Sequence, residues 1–215
     1  ETPISSNCIN QVYIRANKFS VYESPPGDYE AFGYLDENVS VILDYIYGQM
    51  GDSIVSGQFT QKWHPLFYNF KIDGYCIPSN INSWLGDWWS DIWLDFKFKK
   101  RSIPFGYFNI SGIWDIKASN KTFGAIHGEN FLYKGLPITK SLLNVSVDRN
   151  KTRISSSNSL HKFGRLSGYL SIPRNDFKRA KPMTYSMSGV YPLNDGKMAL
   201  GKVVEEYLND FNVST

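Results

Sequence analysis

Reactive side chains are scarce in this 215-residue chain, which has two cysteines, three histidines and four methionines. Cys8 and Cys76 form no CxxC and sit in no Cys/His cluster, which argues against a structural zinc module. An isolated pair is open to three readings: a disulfide, two free thiols, or half of a metal site. Beyond Cys76 there is no further cysteine, so the C-terminal part offers no thiolate nucleophile. His64, His127 and His161 stand singly, with no HxH or HExxH to hold a catalytic metal. GxSxG, a phosphate-binding Walker loop and GxGxxG are absent as well. No apolar run approaches the ~18–20 residues of a membrane-spanning helix. Two acids facing each other across a cleft leave no linear motif. Asp115 beside Trp114 and Glu129 near His127 are the pair worth naming, and both read as surface or turn residues. The expectation is a protein that is not an enzyme and uses no cofactor or metal.

What is plentiful is apolar and aromatic: 42% of residues are hydrophobic and 16% are Phe, Trp or Tyr. That is enough for a packed core and argues against a disordered tail. Charge is unevenly spread. Residues 1–82 hold 4 Lys/Arg against 9 Asp/Glu, a net of −5, and residues 83–215 hold 19 against 11, a net of +8. The split points to two units that attract each other, or to one that meets a charged partner. A chain opening on Glu1-Thr2-Pro3 fits either a mature terminus left after removal of a signal peptide or a trimmed start, and the first reading is the one followed. Periplasmic or secreted is therefore the expected location.

Short runs rich in β-branched and aromatic residues fill the first unit: Val12–Ile14, Phe19–Tyr22, Phe32–Leu35, Val39–Leu43, Trp63–Phe70 and Gly74–Ile77. Ser24-Pro25-Pro26-Gly27-Asp28 and Asp36-Glu37-Asn38 are the turn clusters between them. Phe19-Ser20-Val21-Tyr22-Glu23-Ser24-Pro25, then Phe32-Gly33-Tyr34-Leu35 with Val39-Ser40-Val41-Ile42, then Trp63-His64-Pro65-Leu66 and a closing Gly74-Tyr75-Cys76-Ile77 follow one another in a familiar order. In that order the stretch from about residue 10 to 80 resembles the bacterial SH3 domain family. The departures are Tyr22 for the usual Arg, Asn38 for the turn Gly, and an insertion around residues 45–62. The resemblance implies a small barrel over residues 1–82 whose terminal strands approach each other. A Cys8–Cys76 disulfide would then staple its ends and contribute about 4 kcal/mol through chain entropy. It also implies a glycan or peptide ligand held by exposed aromatics. Tyr22, Tyr29 and Tyr45, beside turns and the insertion, are the candidate ligand-binding residues.

Residues 83–102 carry Trp84, Trp88, Trp89 and Trp93. With Leu85, Ile92 and Phe96 these lie on one face of a 3.6-residue period, predicting an amphipathic linker helix followed by the basic Lys97, Lys99, Lys100 and Arg101. The leading reading is a clasp that buries its tryptophans. A partner-binding face and a membrane-surface helix are the others.

From residue 103 onward strands alternate with Gly-, Asn- and Pro-containing breaks, and Leu143, Val145 and Val147 alternate with polar residues as in a half-buried antiparallel strand. The chain ends on Leu200, Val203, Val204, Tyr207, Leu208 and Phe211, which share one helical face opposite Lys202, Glu205, Glu206 and Asp210. The fold expected is mostly β: an SH3-like barrel, a Trp-rich linker helix, and an antiparallel β unit (103–215) with a terminal helix packed on it. No family is recognised for residues 100–215. N-x-S/T occurs at Asn38, Asn109, Asn120, Asn144, Asn150 and Asn212, against roughly two or three by chance, a motif that matters only where glycosylation machinery exists. The functional expectation is an exported binding protein of the bacterial envelope that recognises peptidoglycan or a protein partner, with no nucleic-acid partner. An inhibitor or immunity protein directed at a secreted enzyme or toxin is the alternative. An envelope hydrolase with a carboxylate site is the third.

Overall fold

The computed structural model describes residues 10–20, 23–36, 40–84, 90, 93–99, 102–162, 164–173 and 184–190. Almost all of them lie in one antiparallel sheet. Its strands are β1 (Asn10–Phe19), β2 (Gly27–Asp36), β3 (Ser40–Met50), β4 (Ser53–Lys62), β5 (Phe67–Tyr75), β6 (Phe96–Phe98), β7 (Phe105–Ile113), β8 (Ile116–Tyr133), β9 (Leu136–Val147), β10 (Lys151–His161), β11 (Gly164–Pro173) and β12 (Thr184–Gly189). They lie side by side in chain order except for β6. Long β8 pairs β7 over its first two-thirds and the short β6 at its last three residues.

Tight hairpins dictate this order. Gly51 (φ 59°) turns the chain between β3 and β4, and Lys134-Gly135 (φ 48° and 83°) between β8 and β9, in the left-handed conformation that two-residue hairpin turns require. Trp63-His64-Pro65-Leu66, expected as a strand, is instead the β4–β5 turn, with a cis His64–Pro65 bond.

No small barrel closes in the first unit. β5 does not return to β1 but pairs β7 from Phe67↔Ile113 to Tyr75↔Phe105, so the sheet stays open and runs on past residue 82. The edge of β5 that a barrel would offer to β1 is taken by β7, and the strands are also longer than expected. Residues 45–62, read as an insertion, are the second half of β3 and the whole of β4, and β1–β5 are 9 to 11 residues long. Likewise Gly128-Glu129-Asn130, a Gly- and Asn-containing stretch of the kind expected to break strands, lies inside β8, with Asn130 at φ 52°.

Register gives the sheet two unlike faces. Direct partners share a face, and the row Val12–Gly33–Leu43–Phe59–Phe70–Ile110–Thr122–Val147 crosses β1 to β9 on one side. The next row on that side, Ile14–Ala31–Ile46–Gly57–Ile72–Phe108–Gly124–Val145, is equally apolar. Between them on the opposite side lie Tyr13, Phe32 and Tyr45, then Gln58, Lys71, Asn109, Phe123 and Ser146. We call the two sides the apolar and the tyrosine face.

Glycines on the apolar face let neighbouring strands approach. A Cβ at Gly57 would stand 2.2 Å from the Lys71 carbonyl oxygen. Three more are covered by the ring of their direct cross-strand partner: Gly48 by Tyr29, Gly112 by Tyr68 and Gly124 by Phe108. Ring over glycine restores the packing that the missing side chain would have supplied.

Most of the described core lies on the apolar face beneath the β5–β7 crossover, with Ala31, Met50 and Tyr68 buried apart from it on β2, β3 and β5. Ser53, fully buried, anchors the start of that crossover: its hydroxyl accepts from Ile77 N–H (2.9 Å) and Asn80 Nδ2 (3.0 Å). A 3-10 helix, Pro78–Trp84, follows. Of the helix expected over 84–96, Ser90 and Trp93 are helical and Leu94 N–H donates to Ser90 O at 3.2 Å; Trp88 and Trp89 lie outside the described residues. Phe96 is not on that helix: with Phe98 it belongs to β6. Trp93 is buried at 9% exposure, and Ile126, Val145, Phe108 and Leu143 pack with it. Its ring lies 4.9 Å from Phe96 and 5.8 Å from Phe98, which lead to Phe131, Leu136, Ile138 and Leu166. A gap of about 10 Å³ beneath these rings holds no more than a water. The terminal helix expected over 200–211 also lies outside the described residues.

Candidate functional site

A ladder of three rings stands on the tyrosine face of the first three strands. Tyr13 pairs Phe32 and Phe32 pairs Tyr45 in direct register, with exposures of 58%, 44% and 44%. Arg15–Glu30–Tyr47 forms the neighbouring row and Gln11–Tyr34–Ile42 the row beyond. Tyr45 reaches this face through a β-bulge. The step from Tyr45 to Leu43 on β3 matches a single step from Phe32 to Gly33 on β2, which leaves Asp44 as an extra residue. Without it Leu43 and Tyr45 would point the same way.

Polar groups border the rings. Tyr13 Oη donates to Glu30 Oε1 at 2.5 Å, and this hydrogen bond holds the Tyr13 phenol above its ordinary pKa. Tyr47 Oη donates to Gln49 Oε1 at 3.1 Å. Flat apolar rings beside hydroxyl, carboxylate and guanidinium groups can stack on a sugar or peptide plane and hydrogen-bond its edge.

The three candidate tyrosines are not brought together. Tyr45 is in the ladder. Tyr29 is on the opposite face, its ring over Gly48 and its hydroxyl buried with no hydrogen-bond partner among the described residues. Tyr22 lies outside the described residues. Sequence reasoning did not single out Tyr13 and Phe32, because only the register reveals that Phe32 stands between Tyr13 and Tyr45.

Cys76 follows β5 as a free, partly buried thiol whose Sγ contacts Ile77 O at 3.5 Å, and Cys8 lies outside the described residues. Burial pushes the Cys76 pKa from 9.0 up to about 11, with the Ser53 hydroxyl working the other way.

His127 and Glu129 do meet, Nε2 to Oε1 at 3.4 Å, and Lys140 Nζ approaches the same carboxylate oxygen at 3.5 Å. Asp115 occupies the β7–β8 turn at φ 64° beside Trp114, whose indole N–H donates to Gln61 Oε1 at 3.2 Å. These two acids sit at opposite ends of β8, on the order of 40 Å apart along an extended strand, whereas paired catalytic carboxylates work at roughly 5–10 Å. They do not form one site. Among the described residues no group of three or more His, Cys, Asp or Glu could hold a metal ion, and no helix is long and apolar enough to cross a membrane.

No protein-family model, curated protein or solved structure matches the chain.

Proposed function

We propose that this chain is an exported, non-catalytic binding protein that holds a glycan strand, peptidoglycan first among them, on the ring ladder of β1–β3. The observation that carries the reading is the direct register of Tyr13, Phe32 and Tyr45, three largely exposed rings side by side. Adjacent strands are spaced about 4.8 Å apart, so the ladder presents a continuous apolar strip about 10 Å long. Sugar faces stack on such a strip, and Glu30, Arg15 and the tyrosine hydroxyls would serve the sugar hydroxyls. The likeness of residues 10–80 to the bacterial SH3 family, some of whose domains bind the cell wall, supports the same ligand class, although the binding surface proposed is an open sheet and not a barrel.

Sedimentation with purified peptidoglycan tests this. The wild-type chain should pellet with the polymer, and Tyr13→Ala/Tyr45→Ala should remain in the supernatant, since each stacked ring contributes about 0.5–1.5 kcal/mol. Tyr29→Phe, on the other face, should bind as the wild type does. Equal pelleting of the double variant and the wild type, or no pelleting of either, would refute the reading.

A further inference from the structure

β1 is an edge without the usual protections. Among the described residues its hydrogen-bond partners all lie on β2, so its outer row of N–H and C=O groups faces no strand. Natural edges are kept from pairing by charge, proline or a bulge. β1 has its register break only after Ala16, and the stretch before it carries no proline and one charge, Arg15. The seven residues from Asn10 to Ala16 run in unbroken register with β2, from Asn10↔Leu35 to Ala16↔Tyr29. Apolar surface is open on both sides of them: Tyr13 is 58% exposed on the tyrosine face and Ile14 51% on the apolar face.

We propose that this edge pairs with the same edge of a second copy of the chain, with the two-fold axis at Tyr13. Two copies of one strand pair antiparallel about an axis normal to the sheet, which keeps each face on its own side and centres the register on a residue. The unbroken stretch Asn10–Ala16 has Tyr13 at its middle, so pairing about Tyr13 uses the whole stretch and stops short of the register break in both copies. Tyr13 then meets Tyr13 of the second copy, Val12 meets Ile14, Gln11 meets Arg15 and Asn10 meets Ala16. The strand is complementary to itself in this register. Apolar Val12 and Ile14 face each other, and each arginine faces a glutamine, whereas an axis at Arg15 would set two guanidinium groups against each other. The second copy also completes the ligand surface. Tyr45–Phe32–Tyr13 runs on into Tyr13–Phe32–Tyr45 of the second copy, a line of six rings about 24 Å long. A ligand lying on both ladders would hold the two chains together. The pairing itself does not rest on the glycan reading.

Sedimentation velocity of the full-length protein, with no glycan present, tests it. A seven-residue strand pair is a small interface, so dilute protein should be monomeric and the mass should rise toward twice that of the chain as concentration increases. Gln11→Glu puts a carboxylate opposite each Arg15 and should tighten the dimer several-fold, and Gln11→Lys should weaken it several-fold. Asn17→Lys, beyond the paired stretch, should leave it unchanged. A monomer at every concentration would leave the edge to a strand of another protein and overturn the proposal. Masses climbing past the dimer would overturn it too, because they mean an open chain of contacts and not a closed two-fold pair. So would equal effects of Gln11→Lys and Asn17→Lys, which would move the axis away from Tyr13.

Discussion

Cys76 shows how one residue's surroundings decide its chemistry. Its thiol sits next to the buried Ser53 hydroxyl at the point where β5 gives way to the crossover, and burial raises its pKa to about 11. The thiolate is the reactive form, so native Cys76 should resist iodoacetamide at pH 7.5 and react readily in urea. Modification in urea without reductant would also show that no bridge to Cys8 exists, and absence of modification there would restore the disulfide. The sign of the pH effect follows from the raised value. Between pH 9 and about 11 the unfolded chain loses the thiol proton and the folded one keeps it. This contribution to stability is therefore whole below pH 9 and fades as pH climbs toward 11. A urea midpoint that rose across that interval would contradict the burial. At this scale the sequence was partly legible. Tyr45 was singled out correctly as exposed, but nothing in the linear pattern reveals that a bulge at Asp44 turns it to the side of Phe32 while Tyr29 points the other way.

Among the elements, the crossover between β5 and β7 does most to organise the core. Its aromatic run is legible in sequence as something that must be buried, and Trp93 is buried. What periodicity misjudged is where the helix ends, because Phe96 continues the 3.6-residue pattern while lying in a strand. β6 forms there because β8 extends past the reach of β7 and leaves an edge open at Phe131–Tyr133. Asp95 then fastens the crossover to the β8–β9 turn, its carbonyl accepting from Lys134 N–H at 2.8 Å and its carboxylate 3.4 Å from Lys134 Nζ. Such a partly exposed ion pair contributes at most about 1 kcal/mol, so the ring packing dominates. Trp93→Ala should cost about 3–5 kcal/mol in chemical denaturation, whereas Leu94→Ala, at 76% exposure, should cost under about 0.5 kcal/mol. Comparable losses from the two would place the core elsewhere.

At the scale of the whole molecule, the strand-rich composition and most strand positions were legible, but the architecture was not. Long strands and short hairpin turns are local signals, and both a barrel and an open meander can be built from them. The difference is whether β5 pairs β1 or β7, a choice between partners far apart in the chain that no local pattern encodes. The meander also means that charge asymmetry does not mark a gap in the sheet, since the acidic and basic stretches are joined through the nine-residue β5–β7 pairing. Stability should follow burial along this sheet. The residues below 7% exposure on β8, β9 and β10, among them Ile126, Phe131, Leu136, Ile138, Val145 and Thr152, lie beside the crossover, whereas β1 has no buried residue and is paired on one side only among the described residues. Native-state hydrogen exchange should therefore find the slowest amides in β8 and β9, slow ones in β5 and β7, and the fastest in β1, with opening free energies falling from the global value toward zero at that edge. Losing protection in β1 well before β8 as denaturant rises would show that the sheet frays from its N-terminal edge while its centre stays folded. Uniform protection from β1 to β9 would instead require the whole sheet to open as one unit, and the edge carrying Tyr13 would then be as rigid as the core.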